Sequence, residues 1–147
     1  DLTTIELAII ELLFLNGLRV SEVLQINAHN ITNNGSIIIK GLKGSLNRLV
    51  TPSKYMFFWL DFKKNNLSIP AYINRFYLYR LFIKKGLFIS PANHSKKMVT
   101  HSFRHQFVSN LLNSGQTTAE IQRFLGHKSI NSTLHYVAKI KNEKRLD

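Results

Sequence analysis

The stretch THSFRHQFVSNLLNSGQTTAEIQRFLGHKSINSTLHY (residues 100–136) reads as three helices in succession. Gly115 and Gly126 part them, because glycine tolerates the left-handed conformation in which many helices end. The expected spans are His101–Asn113, Thr117–Leu125 and Asn131 to about Ile140. Polar residues fall at particular places along them. His101 and Arg104 share a face near a helix N-terminus, where free N–H groups favour an anion. His127 directly follows Gly126; as a plain structural residue it would satisfy a helix-end carbonyl. Tyr136 is one of five tyrosines, and the common fate of a helical tyrosine is half-buried packing. His101 and His105 are spaced like the ligands of a zinc-protease helix, but Ser102 stands where that motif needs Glu.

Toward the N-terminus the pattern changes. Thr3 or Thr4 can cap a helix whose first turn holds Glu6. The run Ile5–Leu15 is apolar on most faces, which predicts a buried helix stopped by Asn16-Gly17. Arg19 follows, and its plain reading is a surface arginine favoured beside a helix C-terminus. A short helix is expected over Val20–Ile26. His29–Thr32, Ser36–Lys40 and Arg48–Thr51 are short and β-branched, with turn residues between them, and predict a three-stranded antiparallel meander. Pro52 suits the first turn of an aromatic-rich helix ending near Lys64. Ala71–Lys85 reads as a further helix, and Ser90–Thr100 as a loop. The expected fold is therefore mainly α with a small antiparallel three-stranded sheet, an α+β domain spanning residues 1–147.

Charge narrows the function. The net charge is +12. Between Val23 and Asn142 the only acids are Asp61 and Glu120, against 17 lysines and arginines. Such a surface attracts polyanions, nucleic acid first. A basic amphipathic anchor flanked by bulky apolar residues is missing, so no membrane partner is expected. The chain has no cysteine, which removes disulfides, thiolate nucleophiles and cysteine-based zinc sites together. With carboxylates so scarce, a hard-metal site is not expected either.

Taken together, Arg19-Val-Ser-Glu22, Lys43 in a hairpin turn, His101-x-x-Arg104, Gly126-His127 and Tyr136 resemble, in order and spacing, the signature of the tyrosine recombinase and phage integrase family. The matching stretches also include NGLRVSEVLQI (residues 16–26) and GLKGSLNRLV (residues 41–50). The resemblance implies the tyrosine recombinase catalytic-domain fold. It implies a separate helical DNA-clasping domain before the catalytic one, so the chain is expected to be a piece of a longer protein. By the same resemblance, Arg19 and Arg104 clamp the scissile phosphate, His101 and His127 donate to it or help move protons, and Tyr136 is the nucleophile. Lys43 matches the hairpin lysine that protonates the leaving 5′-oxygen; Lys40 and Lys54 are the nearby alternatives. Glu22 matches an acid that orients the first arginine. Leu42, where glycine is common, and Thr51-Pro52, in place of Val-Pro, depart from the pattern.

The implied activity is site-specific DNA recombination through a covalent 3′-phosphotyrosine at Tyr136. A type IB topoisomerase and a non-catalytic DNA-binding module are the alternatives. No cofactor or metal is implied, since bond energy is stored in the phosphotyrosine and no nucleotide-binding loop is present. Expected partners are double-stranded DNA and further copies of the chain, as a tetramer on paired sites. The implied setting is cytoplasmic and nucleoid-associated, in a bacterium or phage. Lys40, Arg48, Arg75, Arg80, Lys96 and Lys97 are candidate DNA contacts; each is equally well read as part of a solvated basic face.

Overall fold

Thr3 opens the first helix as the sequence predicts. Its hydroxyl accepts the Glu6 N–H at 3.3 Å and its own N–H donates to Glu6 Oε1 at 2.8 Å, a reciprocal cap. The computed structural model describes residues 1–42, 45–86 and 107–145. Helix α1 (Thr4–Phe14) buries Ala8, Ile9, Leu12 and Leu13, and also two acids, Glu6 and Glu11. It ends at Gly17, whose φ of +72° is the left-handed region that glycine tolerates. Helix α2 (Val20–Val23) is shorter than expected and passes into a turn.

The meander is reduced. Among the described residues two strands pair antiparallel, β1 (Ile37–Ile39) and β2 (Arg48–Val50), with Ile38 opposite Leu49. The expected first strand survives as an isolated bridge between Ile31 and Ile37. The cause is local. Asn27 Oδ1 accepts the His29 N–H and Asn30 Oδ1 accepts the Asn27 N–H, both at 2.9 Å, which coils Ala28–Asn30 into a 3-10 turn. Extended backbone begins only after it.

Helix α3 (Met56–Lys64) starts four residues later than Pro52 suggests. The Glu11 carboxylate accepts the N–H groups of Lys54 at 2.6 Å and Tyr55 at 3.1 Å, and the Ser53 hydroxyl at 3.3 Å. Those donors are satisfied from α1, so the helix begins after them. Helix α4 (Arg75–Lys84) is capped by Asn74, which accepts the Tyr77 N–H. Helical residues 107–113 (α5) precede α6 (Thr118–Leu125) and α7 (Ile130–Arg145), the last longer than expected. The expected loop at Ser90–Thr100 and the first turns of the helix from His101 lie outside the described residues.

Two buried clusters result. The larger packs α1 and α2 with both strands, Trp59 and Phe62 of α3, and Leu78 and Phe82 of α4. The smaller joins Phe107 and Val108 of α5, Ile121 and Leu125 of α6, and Val137 and Ile140 of α7. They meet along a seam. The Phe107 ring lies over Gly17, where a Cβ would come within 2.4 Å of it. The Leu46 N–H donates to the Gly126 carbonyl at 2.6 Å. Among the described residues no helix is long and apolar enough to cross a membrane.

Candidate active site

Arg19 stands at the entrance to α2, anchored by the buried Leu18 before it and Val20 after it. Its own N–H donates to Glu22 Oε1 at 2.9 Å. Its guanidinium reaches across to the turn between the strands, where Nη1 donates to the Ser45 hydroxyl and to the Leu42 carbonyl, the latter at 3.4 Å. Leu42 and Ser45 flank the Lys43-Gly44 pair. The same turn contacts the other cluster: Ser45 bridges to His127, next to the Leu46–Gly126 hydrogen bond.

Helix α6 delivers His127. Thr117 caps its start, accepting the Glu120 N–H, and Gly126 ends it at φ +72°. The reversal drops His127 beside α7. Its Nδ1 shares a 2.8 Å hydrogen bond with the hydroxyl of Thr133, a fully buried residue in the first turn of α7. The backbone is held as well, because Gln122 Nε2 donates to the His127 carbonyl at 3.1 Å. One ring nitrogen tied to a fixed hydroxyl sets the orientation of the imidazole. Tyr136 lies on the same helix three residues after Thr133, half-buried, with its ring packed on the smaller cluster. A helical stagger of three keeps the two side chains on neighbouring faces.

Arg48 is placed differently from expectation. Its guanidinium makes a two-pronged ion pair with Glu22, Nη1 to Oε2 and Nη2 to Oε1, both at 2.8 Å. The two side chains are 9% and 0% exposed. Arg48 therefore faces inward, away from the solvent side on which a DNA contact was expected. Glu22 in turn meets Arg19 through the backbone N–H and Arg48 through the carboxylate. Lys40, Arg75 and Arg80 are exposed, Lys40 just beyond β1 and the two arginines on α4. Lys43, Lys96, Lys97, His101 and Arg104 lie outside the described residues. So does His105, and among the described residues no group of three His, Asp or Glu could hold a metal ion.

Ser45 and Thr133 were not singled out from the sequence. A serine in a turn and a threonine in a helix carry no local mark of the partner each one finds here, Arg19 for Ser45 and His127 for Thr133.

Residues 79–143 match the phage integrase family. The chain is 32% identical over 146 residues to a tyrosine recombinase, XerC, of Rickettsia canadensis, and the match covers 88% of this chain and 45% of that protein. The XerC protein of Rickettsia bellii is 31% identical over 149 residues with the same coverage. The chain thus spans about half the length of the curated relatives it matches. Among solved structures, the catalytic domain of bacteriophage HP1 integrase superposes with a TM-score of 0.63 at 24% identity, over 90% of this chain and 74% of that one. The XerH recombinase bound to its difH substrate gives 0.65 at 24% identity, over 93% and 44%. These two likenesses show a shared fold.

Proposed function

The chain belongs to the phage integrase family of tyrosine recombinases, and from that premise we propose that it is the catalytic domain of a site-specific DNA recombinase. The observation that carries this reading is the junction at the hairpin turn. Arg19 binds both residues that flank Lys43-Gly44, and Ser45 of that turn pairs with His127, whose ring is tied to the helix bearing Tyr136. Arg19 and His127, far apart in the chain, thus both meet the same turn, which supports their acting on one phosphate.

In the reaction proposed, the Tyr136 oxygen attacks the scissile phosphorus as its proton passes to His127 or His101. A P–O bond to tyrosine forms and the bond to the 5′-oxygen breaks. That oxygen takes a proton from Lys43, or from Lys40 if the turn presents it instead. Negative charge on the non-bridging oxygens is met by Arg19 and Arg104, whose planar forks suit phosphate. Removing one such donor costs roughly 3–4 kcal/mol of transition-state stabilisation in well-studied oxyanion sites. His127 and His101 donate to the phosphate or carry protons. Free tyrosine has a pKa near 10, so the cationic pocket is needed for attack at neutral pH. The 5′-hydroxyl reverses the steps to rejoin a strand. The substrate is double-stranded DNA, bound by a tetramer on paired sites in the cytoplasm; the XerH neighbour is described with its DNA substrate.

A nicked suicide site tests the reading. Covalent protein–DNA adduct should accumulate, and Tyr136→Phe should abolish it; an adduct formed by that variant would overturn the assignment. Lys43→Ala should recover cleavage on a 5′-phosphorothiolate, whose leaving group needs no acid, and failure to recover moves the role to another lysine.

A further inference from the structure

The inference concerns Arg48 and rests on the recombinase reading. We propose that Arg48 is a positioning residue that sets Arg19 and His127 relative to one another, and that it does not contact DNA. Three observations meet at this side chain. Its fork grips Glu22 through two 2.8 Å bonds, and Glu22 Oε1 also accepts the Arg19 N–H at 2.9 Å. Arg48 thereby fixes the entrance of α2, from which the Arg19 side chain departs. Its other flank lies on Gly126: a Cβ there would stand 2.8 Å from Arg48 Nη1 and 2.9 Å from Cδ. Gly126 precedes His127 and receives the Leu46 N–H. Finally, the pair is almost wholly buried, with Glu22 0% and Arg48 9% exposed at the side chain.

The residue types suit this task. A guanidinium holds two carboxylate oxygens in a fixed plane, whereas an ammonium holds them as a point charge on a flexible stem. The fork also lies close against a backbone that lacks a side chain. One rigid side chain thus spans the seam between the clusters, touching the support of Arg19 on one side and the residue before His127 on the other. A buried pair of this kind contributes little to stability over an apolar substitute, and defining one arrangement is the better account of its presence.

Arg48→Lys and Arg48→Gln in the full chain test the proposal. A misplacement near 1 Å costs about 100-fold in rate, so covalent adduct on the suicide site should form about 100-fold more slowly in Arg48→Lys. DNA affinity and its dependence on salt should be unchanged. A lost phosphate contact would instead lower the salt slope by about one, and that result overturns the proposal. The rate loss should shrink on a methylphosphonate site, which lacks the charge that Arg19 is proposed to meet; an equal loss on both substrates indicates a general folding defect and also counts against it. A readout independent of catalysis separates this proposal from the recombinase reading. Amide hydrogen exchange at Arg19 and at Leu46 should quicken in Arg48→Lys while exchange in α4 stays as before. If the parent chain forms no adduct but this exchange pattern holds, positioning stands and the recombinase reading falls. Unchanged exchange at both amides refutes the positioning role. Should Arg48→Gln fail to fold, Arg48→Lys carries both measurements.

Discussion

Glu6 and Tyr77 show how a single hydrogen bond is felt across a pH range. Burial pushes the Glu6 carboxyl up, but the bonds from Tyr77 and Thr3 and the Lys85 charge outweigh it, so its pKa falls below the usual 4.5. A depressed carboxyl adds stability above its unfolded pKa, and that stability is lost as pH falls through the folded value. The same bond pushes Tyr77 up to about 12. A raised phenol adds stability that is complete below pH 10 and is lost as pH rises through about 12. Tyr77→Phe should therefore move the Glu6 titration to higher pH and bring acid unfolding on earlier; an unmoved carboxyl resonance in an NMR titration refutes this. At His127 the partner is Thr133. Thr133→Val keeps the volume but removes the hydroxyl, which should cost about 1 kcal/mol of stability and slow adduct formation on a suicide site. An unchanged cleavage rate would mean that the imidazole is held by something else. Neither partner was legible beforehand. Glu6 and Tyr77 are 71 residues apart, and a hydroxyl shows its direction only in the folded chain.

At the scale of elements, local signals were read well and distant ones were not. Thr3, Thr117 and Gly126 do their capping within a few residues, so helix ends at these places follow from neighbouring sequence, whereas the helix expected from Ala71 begins only at Arg75, after the Asn74 cap. The start of α3 does not, because its donors are met by Glu11 from another helix. Glu11→Ala should strip that cap and lower stability by about 1–2 kcal/mol, with the loss seen first as faster amide exchange at Lys54 and Tyr55. The missing first strand has the opposite cause: Asn27 and Asn30 act locally, but their side chains compete with extended backbone in a way that β-branched content hides. Arg48 was read as a surface cation because sequence records charge and not direction. Gly126 joins both kinds of information. Its left-handed backbone was foreseeable; the arginine lying on it was not. Gly126→Ala should cost at least the roughly 1–2 kcal/mol of a left-handed residue, and should weaken cleavage as well, since the Cβ collides with Arg48. Wild-type melting and cleavage in this variant would contradict the packing at the seam.

On the scale of the whole molecule, the proposed pocket draws on both clusters and DNA should hold them together. If six to ten phosphates are contacted, affinity should fall by about a thousand-fold or more between roughly 50 and 200 mM salt; a flat response in a binding titration would undercut the electrostatic case. The buried acids sharpen that expectation. Of eight acidic residues, Glu6, Glu11 and Glu22 are 4%, 3% and 2% exposed, each consumed in holding segments together. Among the described residues, Glu22 takes an arginine inside with it. Among the described residues, the shell that faces water is accordingly more positive than their composition indicates. Counterions and long polyanions meet that shell and not the average. The chain should therefore elute from a heparin column later than a protein of equal net charge whose acids lie on its surface, and its capture of DNA from solution should quicken steeply as the screening length grows in dilute salt.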